Sequence, residues 1–337
     1  MLRFFVKRIL LSVVVIIGVS MLIFIIARIV PGDPARMALG PRASQEVVDA
    51  LRIEMNLERP LPTQYAIWAQ GVLRGDFGTS ILTRRAVSED IRDFLPATLE
   101  LILVSGIIMV IGSFIFGIIS VRFRDTWVDG IIRVMSNIRI SVPAFVMAII
   151  FMLVFGFLIP IVPAVGRISG RIVTSPPITG MIIFDNLVQG NFTAAWNALQ
   201  HIFLPAFALA IGPMFQEARI LRASLIDNIS KEYISVSTGY GLPKNVVLGK
   251  YLLKPSAVSV ITVMGLDFAA LMGNAFLVER IFNWPGLSRY GINAMLHKDL
   301  NSISAVIIII GILFMVMNII VDLLMALLDP RIRGKSR

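Results

Sequence analysis

Few residues in this sequence could carry chemistry, and their spacing excludes most kinds of it. There is no cysteine, and the two histidines, His201 and His297, lie far apart. Disulfides, thiolate nucleophiles and cysteine-based metal sites are therefore excluded, and no metal-ligand spacing is present. No nucleophile is accompanied by a base and an orienting acid, and no His-Glu-x-x-His occurs. The nearest approach to a phosphate-binding loop is Arg333-Gly334-Lys335-Ser336. There Asp329 stands where the first glycine is needed, and no strand precedes it. The expectation is a chain with no catalytic residues, no metal, no cofactor of its own and no ATP hydrolysis.

What remains is a handful of charges inside apolar runs and one short polar segment. Asp267 sits in the middle of an apolar stretch, Asp322 near the end of another, and Glu217 and Arg219 flank a third. Ionisable groups at membrane depth are functional candidates by default. Asp267 fits a pathway-lining carboxylate that binds a cationic group or water, or equally one paired with a helix of a partner subunit. Asp322 fits a structural role with Arg331 or Arg333 in reach, and Glu217 with Arg219 an interfacial one. The polar segment is Ser230–Pro243, Ser-Lys-Glu-Tyr-Ile-Ser-Val-Ser-Thr-Gly-Tyr-Gly-Leu-Pro. Ser230 is suited to N-cap a helix, and Glu232 suits the positive end of its dipole. Gly241 is suited to the left-handed position after a helix, and Pro243 cannot continue one. This predicts a self-contained helix of about ten residues, about 15 Å long. It reads as an amphipathic loop helix or as a docking knob for another protein.

The elements that must position these residues are membrane helices. Of 337 residues 57% are hydrophobic and only 15% charged, against about 25% charged in soluble domains. Uncharged runs at Ile9–Ala27, Leu101–Val121, Ile140–Gly166, Ile202–Gln216, Pro255–Val278 (broken by Asp267) and Ile303–Val321 predict six spans. The first lacks a signal-peptide cleavage site and is expected to be retained. With the N-terminus inside, the segments Met1–Arg8, Arg122–Arg133, Arg219–Lys254 and Arg331–Arg337 hold sixteen lysines and arginines. Only five acids, Asp125, Asp129, Asp227, Glu232 and Asp329, lie in or beside them. Pro31–Pro96 is near neutral, with eight basic and nine acidic residues. By the positive-inside rule both termini are cytoplasmic, and the net charge of +10 needs no nucleic-acid partner.

The predicted organisation is a first membrane helix over 1–30, an extracytoplasmic region over 31–96, a five-helix core over 97–330 containing a cytoplasmic loop at 224–253, and a basic tail over 331–337. A helix is expected within the outer region at Gln45–Met55, and an interfacial or re-entrant turn at Ile172–Phe184, which is too short to span. Gly112, Gly117, Gly265 and Gly273 suit close helix packing. Trp196 and His201 suit the outer interface.

Several ordered segments carry a resemblance. They are Ile29-Val-Pro-Gly-Asp-Pro34, Arg59-Pro-Leu-Pro-Thr-Gln-Tyr65, Leu73-Arg-Gly-Asp-Phe-Gly-Thr-Ser80, Leu95-Pro-Ala-Thr-Leu-Glu-Leu101, Arg219-Ile-Leu-Arg-Ala-Ser224, Val278-Glu-Arg-Ile-Phe-Asn-Trp-Pro-Gly286 and Asp329-Pro-Arg-Ile-Arg333. With them the chain resembles an inner-membrane permease subunit of a binding-protein-dependent ABC importer, in the oligopeptide/dipeptide branch. The resemblance implies an all-α type I permease fold in a bacterial-type inner membrane. It implies a second homologous permease subunit, two cytoplasmic ATPase subunits that hold ATP-Mg, and an extracytoplasmic solute-binding protein, with lipid around the spans. It also makes Ser230–Pro243 similar to the family's coupling loop, Glu-Ala-Ala-x-x-x-Gly. The matching positions are Ser235, Val236, Ser237 and Gly241, and Glu232, Tyr233, Leu242 and Pro243 complete the candidate contact set. The leading acid and both alanines are replaced; the glycine is kept. The substrate implied is a di- or oligopeptide or a related small solute. The alternative is a stand-alone secondary transporter or channel, which would be expected to show internal repeats; none is convincing by eye.

Overall fold

The computed structural model describes residues 2–29, 34–40, 42–54 and 56–328. In chain order its helices are α1 (Leu2–Ile29), α2 (Pro34–Leu39), α3 (Gln45–Glu54), α4 (Leu61–Leu73), α5 (Val87–Arg122), α6 (Trp127–Ser141), α7 (Ala144–Phe151), α8 (Ile182–Val188), α9 (Phe192–Ile229), α10 (Glu232–Gly239), α11 (Lys244–Val246), α12 (Lys254–Ile281), α13 (Leu287–Leu296) and α14 (Leu300–Leu328). Wider π-type turns extend α7 over Met152–Leu158 and join α11 to α12 over Val247–Leu253. Among the described residues no strand forms, only an isolated bridge between Thr79 and Ala86.

Four helical stretches are long and apolar enough to cross a membrane: Val87–Arg122, Phe192–Ile229, Lys244–Ile281 and Leu300–Val321. They cover the expected second, fourth, fifth and sixth runs. The expected first and third runs are helical too, but their apolar parts are shorter, Leu10–Ile26 and Ala144–Leu158. The third ends well before Gly166. Pro160 and Pro163 lack the N–H that a continuing helix would need there. In contrast the fourth extends well beyond Ile202–Gln216 at both ends. Pro205 and Pro213 lie inside it without ending it, as happens where neighbouring helices re-satisfy the freed backbone groups.

Two compact units divide the chain. One comprises Phe5–Phe94 and Tyr290–Leu313. Phe24, Tyr65 and Trp68 cluster there, with ring centroids 5.4–5.9 Å apart, and the Ser20 hydroxyl lies 2.8 Å from that of Tyr65. Two buried carboxylates fix the rest. Asp90 accepts from Thr83 Oγ1 at 2.5 Å, Arg85 Nε at 3.1 Å and the Tyr290 hydroxyl at 2.9 Å. Asp299 accepts from Ser80 Oγ at 2.6 Å, the Ile81 N–H at 2.9 Å and Ser302 Oγ at 2.8 Å. Burial, with the Asp90 charge beside it, pushes the Tyr290 hydroxyl up to about 12 despite a hydrogen bond to Ser302. The helix expected at Gln45–Met55 is present as α3; Met55 itself lies outside the described residues.

The other unit is built on Leu95–Arg289 with α14 from Phe314 onward. Its central helix is α9, which packs on α6, α7, α8 and α12. Ile132, Met214 and Phe215 form a core lined by Ile108, Phe116, Ile119, Val128, Met135, Phe207 and Ile211. A side chain at Gly112 would overlap Met214, one at Gly117 would press on Leu221 and the Ala218 carbonyl, and one at Gly265 would overlap Val321. Those three glycines serve close helix packing, as expected; Gly273 has nothing within 4 Å of where its Cβ would be. The Ile172–Phe184 stretch is irregular up to Met181 and winds round the carboxylate of Asp185. That group accepts from the N–H groups of Ile178, Thr179 and Gly180 and from Thr179 Oγ1, at 2.7–3.1 Å. Burial alone would push Asp185 up, but these donors outweigh it and hold its carboxyl below the usual range.

Candidate functional site

The segment Ser230–Pro243 is a short helix between two long ones, and its N-terminal end differs from the sequence expectation. Ser230 does not N-cap it. The residue instead closes α9, with Oγ donating to the Asp227 carbonyl at 2.9 Å. The N-cap of α10 is Lys231, in an extended conformation (φ −77°, ψ 142°) and with no side-chain cap. The helix therefore has eight residues, about 12 Å at 1.5 Å per residue. The cause is the continuation of α9 through Asp227–Ile229, which leaves a single extended residue in which to turn. Glu232 keeps its place in the first turn.

The C-terminal end matches the expectation and sharpens it. Gly241 has φ +72°. Its N–H donates to the Thr238 carbonyl at 3.0 Å, and the Leu242 N–H donates to the Ser237 carbonyl at 3.3 Å. Paired 5→2 and 6→1 bonds around a left-handed residue define a Schellman stop. Pro243 (φ −54°, ψ 136°) then starts α11, accepting from the N–H groups of Val246 and Val247. Along α10, Ser237 is buried and its Oγ donates to the Tyr233 carbonyl at 2.6 Å. Glu232, Tyr233, Ser235, Val236, Gly241, Leu242 and Pro243 are exposed. Tyr233, Val236 and Tyr240, the last 84% exposed, recur at i, i+3 and i+7 and so share one face.

The base of the segment is tied by Asn228. Its Nδ2 donates to Ser256 Oγ of α12 at 2.8 Å, and its Oδ1 accepts from the Tyr233 hydroxyl at 3.1 Å. One amide thus links α9, α10 and α12. The buried Ser256 also donates to the Ser224 carbonyl at 3.3 Å.

Asp267 is not part of this cluster. It is buried in α12, thirteen residues past the start of that helix, or about 20 Å along it. Glu217, expected at an interface, is fully buried in α9, whereas Arg219 is exposed. The two are separated by about 200° around the helix, so only one of them faces the core. His201 is buried, its Nδ1 2.8 Å from the Asn197 carbonyl, while Trp196 is 63% exposed. The Asp322 side chain, with Arg331 and Arg333, lies outside the described residues. So do most of Ile29–Pro34 and all of Asp329–Arg333.

Three polar clusters were not singled out from the sequence, although most of their members lie in the motif segments. Thr98 Oγ1 donates to Glu279 Oε1 at 2.6 Å and accepts from the Leu287 N–H at 2.7 Å. Trp284 Nε1 donates to the Ala97 carbonyl at 2.9 Å. Glu100 holds Arg167 at 2.5 Å and the Ile183 N–H at 2.6 Å. The third is a carboxylate–guanidinium pair between Asp129 of α6 and Arg222 of α9, at 2.7 and 2.8 Å. An acid next to an otherwise apolar run was the available signal for Glu100 and Glu279.

Comparison with known proteins matches residues 94–334 to the family described as binding-protein-dependent transport system inner membrane component, and residues 1–102 to its N-terminal region. The dipeptide transport system permease protein DppB of Alkalihalophilus pseudofirmus is 33% identical over 335 residues, 99% of this chain and 100% of that protein. The probable D,D-dipeptide transport system permease protein DdpB of Escherichia coli K12 is 34% identical over 320 residues, 95% and 94% of the two chains. The glutathione transport system permease protein GsiC of the same strain is 31% identical over 335 residues, 99% and 100% of the two chains.

Proposed function

This chain belongs to the inner-membrane components of binding-protein-dependent transport systems, and we propose that it forms half of the translocation pathway of an ATP-driven importer of small peptides. The other half is a homologous permease subunit. Two cytoplasmic ATPases supply ATP-Mg, and a solute-binding protein delivers substrate at the outer face. Six spans cross the membrane: the four long apolar helices together with Leu10–Ile26 and Ala144–Leu158. Both termini are cytoplasmic, in keeping with the basic residues of the inner segments. Ser230–Pro243 is then cytoplasmic and couples the chain to an ATPase.

The observation that carries this reading is the helix α10 itself. It projects Tyr233, Val236 and Tyr240 on one exposed face, its C-terminal end is fixed by the Gly241 stop, and long apolar helices are attached at both ends. Such a helix suits a groove on a partner, the helix-in-groove mode. Closure of two ATPases would move it and, with it, α9 and α12, giving alternating access by rigid-body displacement. Asp267 is the candidate pathway residue. The peptide assignment is supported by the relatives, named for dipeptides, D,D-dipeptides and glutathione.

The test is reconstitution in proteoliposomes, alone and with the co-purified ATPases and binding protein. ATP-dependent uptake by the assembly and none by the single chain is expected; uptake by the single chain without ATP overturns the reading. Mass spectrometry of the ligand carried by the co-purified binding protein tests the substrate class, and a sugar or metal chelate in place of a peptide would refute that part.

A further inference from the structure

Asp129 and Arg222 lie 93 residues apart, on helices that meet close to the coupling segment. The carboxylate of Asp129 is fully buried. Arg222 grips it with Nε at 2.7 Å and Nη2 at 2.8 Å. Ser120 of α5 donates to the same carboxylate, the Asp125 N–H reaches it at 3.3 Å, and Arg133 Nε lies 3.5 Å away. Asp125 holds the turn between α5 and α6 with φ +62°. One carboxylate therefore joins α5, the turn, α6 and α9.

Packing at the same level brings α5 and α6 close against α9. A Cβ at Gly117 of α5 would stand 2.8 Å from Leu221 Cδ2 and 3.1 Å from the Ala218 carbonyl of α9. Further along, Ser136 Oγ of α6 lies 2.8 Å from the Phe215 carbonyl of α9. Arg222 precedes the end of α9 by seven residues, about two turns, and α10 begins three residues after that end. A displacement of α10 enters α9 at its last turn and meets the Arg222–Asp129 pair almost at once.

We propose that Arg222 is a positioning residue for coupling. Its grip on Asp129 makes α5 and α6 move with α9, so that displacement of α10 reaches all three helices. Without the grip, α9 moves and α5–α6 lag, and hydrolysis proceeds with less transport. This rests on the assignment of α10 as the coupling helix, and the experiment separates the two.

The sequence has no cysteine, so cysteines introduced at Ile229 of α9 and Trp127 of α6 are the only labelling sites in this chain. Both positions are exposed. In the assembled complex with the natural pair, the label distance is expected to stay the same between the nucleotide-free and ATP–vanadate states. In Arg222→Ala it should change between those states by up to about one helical turn, about 5 Å. ATP hydrolysed per radiolabelled alanyl-alanine imported should rise about 2- to 30-fold, the span for residues that carry coupling between sites. Arg222→Lys, which keeps a cation against Asp129, should hold the distance; Asp129→Asn should not. These last two decide the matter if Arg222→Ala does not assemble. A distance unchanged in Asp129→Asn and Arg222→Ala, with a normal hydrolysis-to-uptake ratio, overturns the proposal. Normal ATP-dependent uptake by Gly241→Val in the same complex overturns the underlying coupling assignment instead.

Discussion

Replacing Gly241 by valine isolates the helix stop. No atom lies within 4 Å of where its Cβ would sit, so bulk alone meets nothing. The cost is conformational. At φ +72° an L side chain costs about 1–2 kcal/mol, and a β-branched one the upper end or more. If the backbone relaxes out of that conformation, the Gly241–Thr238 and Leu242–Ser237 bonds are lost, each with a net value of about 0.5–1.5 kcal/mol. Either route costs about 2 kcal/mol, about a thirtyfold fall in the population of the native stop. The helix has little to offset this. Eight residues with no side-chain N-cap are well below the roughly 12–15 at which an isolated helix becomes even marginal.

The assay is a graded series at this position in the assembled complex: glycine, asparagine, alanine, valine. Membrane insertion and yield should be equal across the series, because the segment lies outside the spans. Uptake and substrate-stimulated ATP hydrolysis should fall in that order, asparagine staying nearest to glycine because it tolerates the left-handed conformation. Normal uptake by Gly241→Val would refute the coupling role of the segment. Equal loss in asparagine and valine would refute the conformational explanation and point to contact with the glycine surface itself.

Thr98→Val removes one donor to Glu279 and one acceptor for the Leu287 N–H inside a buried cluster; it should lower stability by roughly 2–3 kcal/mol, read as a drop in melting temperature in detergent. Gly286→Ala places a Cβ against the Glu279 carboxyl group, and overpacking of this kind should cost about 1–3 kcal/mol in the same measurement. Asp129 gives a pH dependence. Burial alone would push it up, but the Arg222 guanidinium, the Ser120 hydroxyl and the Asp125 N–H outweigh this and hold it at about 2, below the ordinary 3.8. Its contribution is thus fully present above about pH 4 and is lost as pH falls towards 2. The difference in melting temperature between the natural chain and Asp129→Asn should vanish over that window; a constant difference down to pH 2 would contradict it.

Four of the six expected spans were legible as long apolar helices, because their signal is apolar length, which does not depend on partners. The places where they stop were less so. The uncharged run ends at Gln216 because Glu217 comes next, yet α9 carries that acid into the core and runs on to Ile229. A charge ends an apolar run in composition, but not in a helix whose buried face can accommodate it. Ser230 failed as an N-cap for a related reason. A capping residue is recognised by the helical pattern on its C-terminal side, whereas Ser230 is claimed by the helix before it. Gly241 was legible because a left-handed stop needs a particular residue type rather than a particular neighbour.

The residues hardest to read were those whose role is a distant pairing. Asp129 was one acid in a basic loop until Arg222 closed on it from 93 residues away, and Thr98 was one polar residue in a motif until Glu279 reached it from 181 away. Between helices in lipid there is no hydrophobic gain on association, so small-residue contacts and polar bonds decide where helices meet. The segments Leu95–Leu101 and Val278–Gly286 illustrate this, for they meet through Thr98, Glu279, Trp284 and the Ala97 carbonyl. Arg219–Ser224 does the same through Arg222 and the Ser224 carbonyl. Local conformation fixes where α10 ends, and long-range polar pairs fix which helices are bonded to α9. A variant that breaks only the first should lose engagement, while one that breaks only the second should engage and transmit poorly.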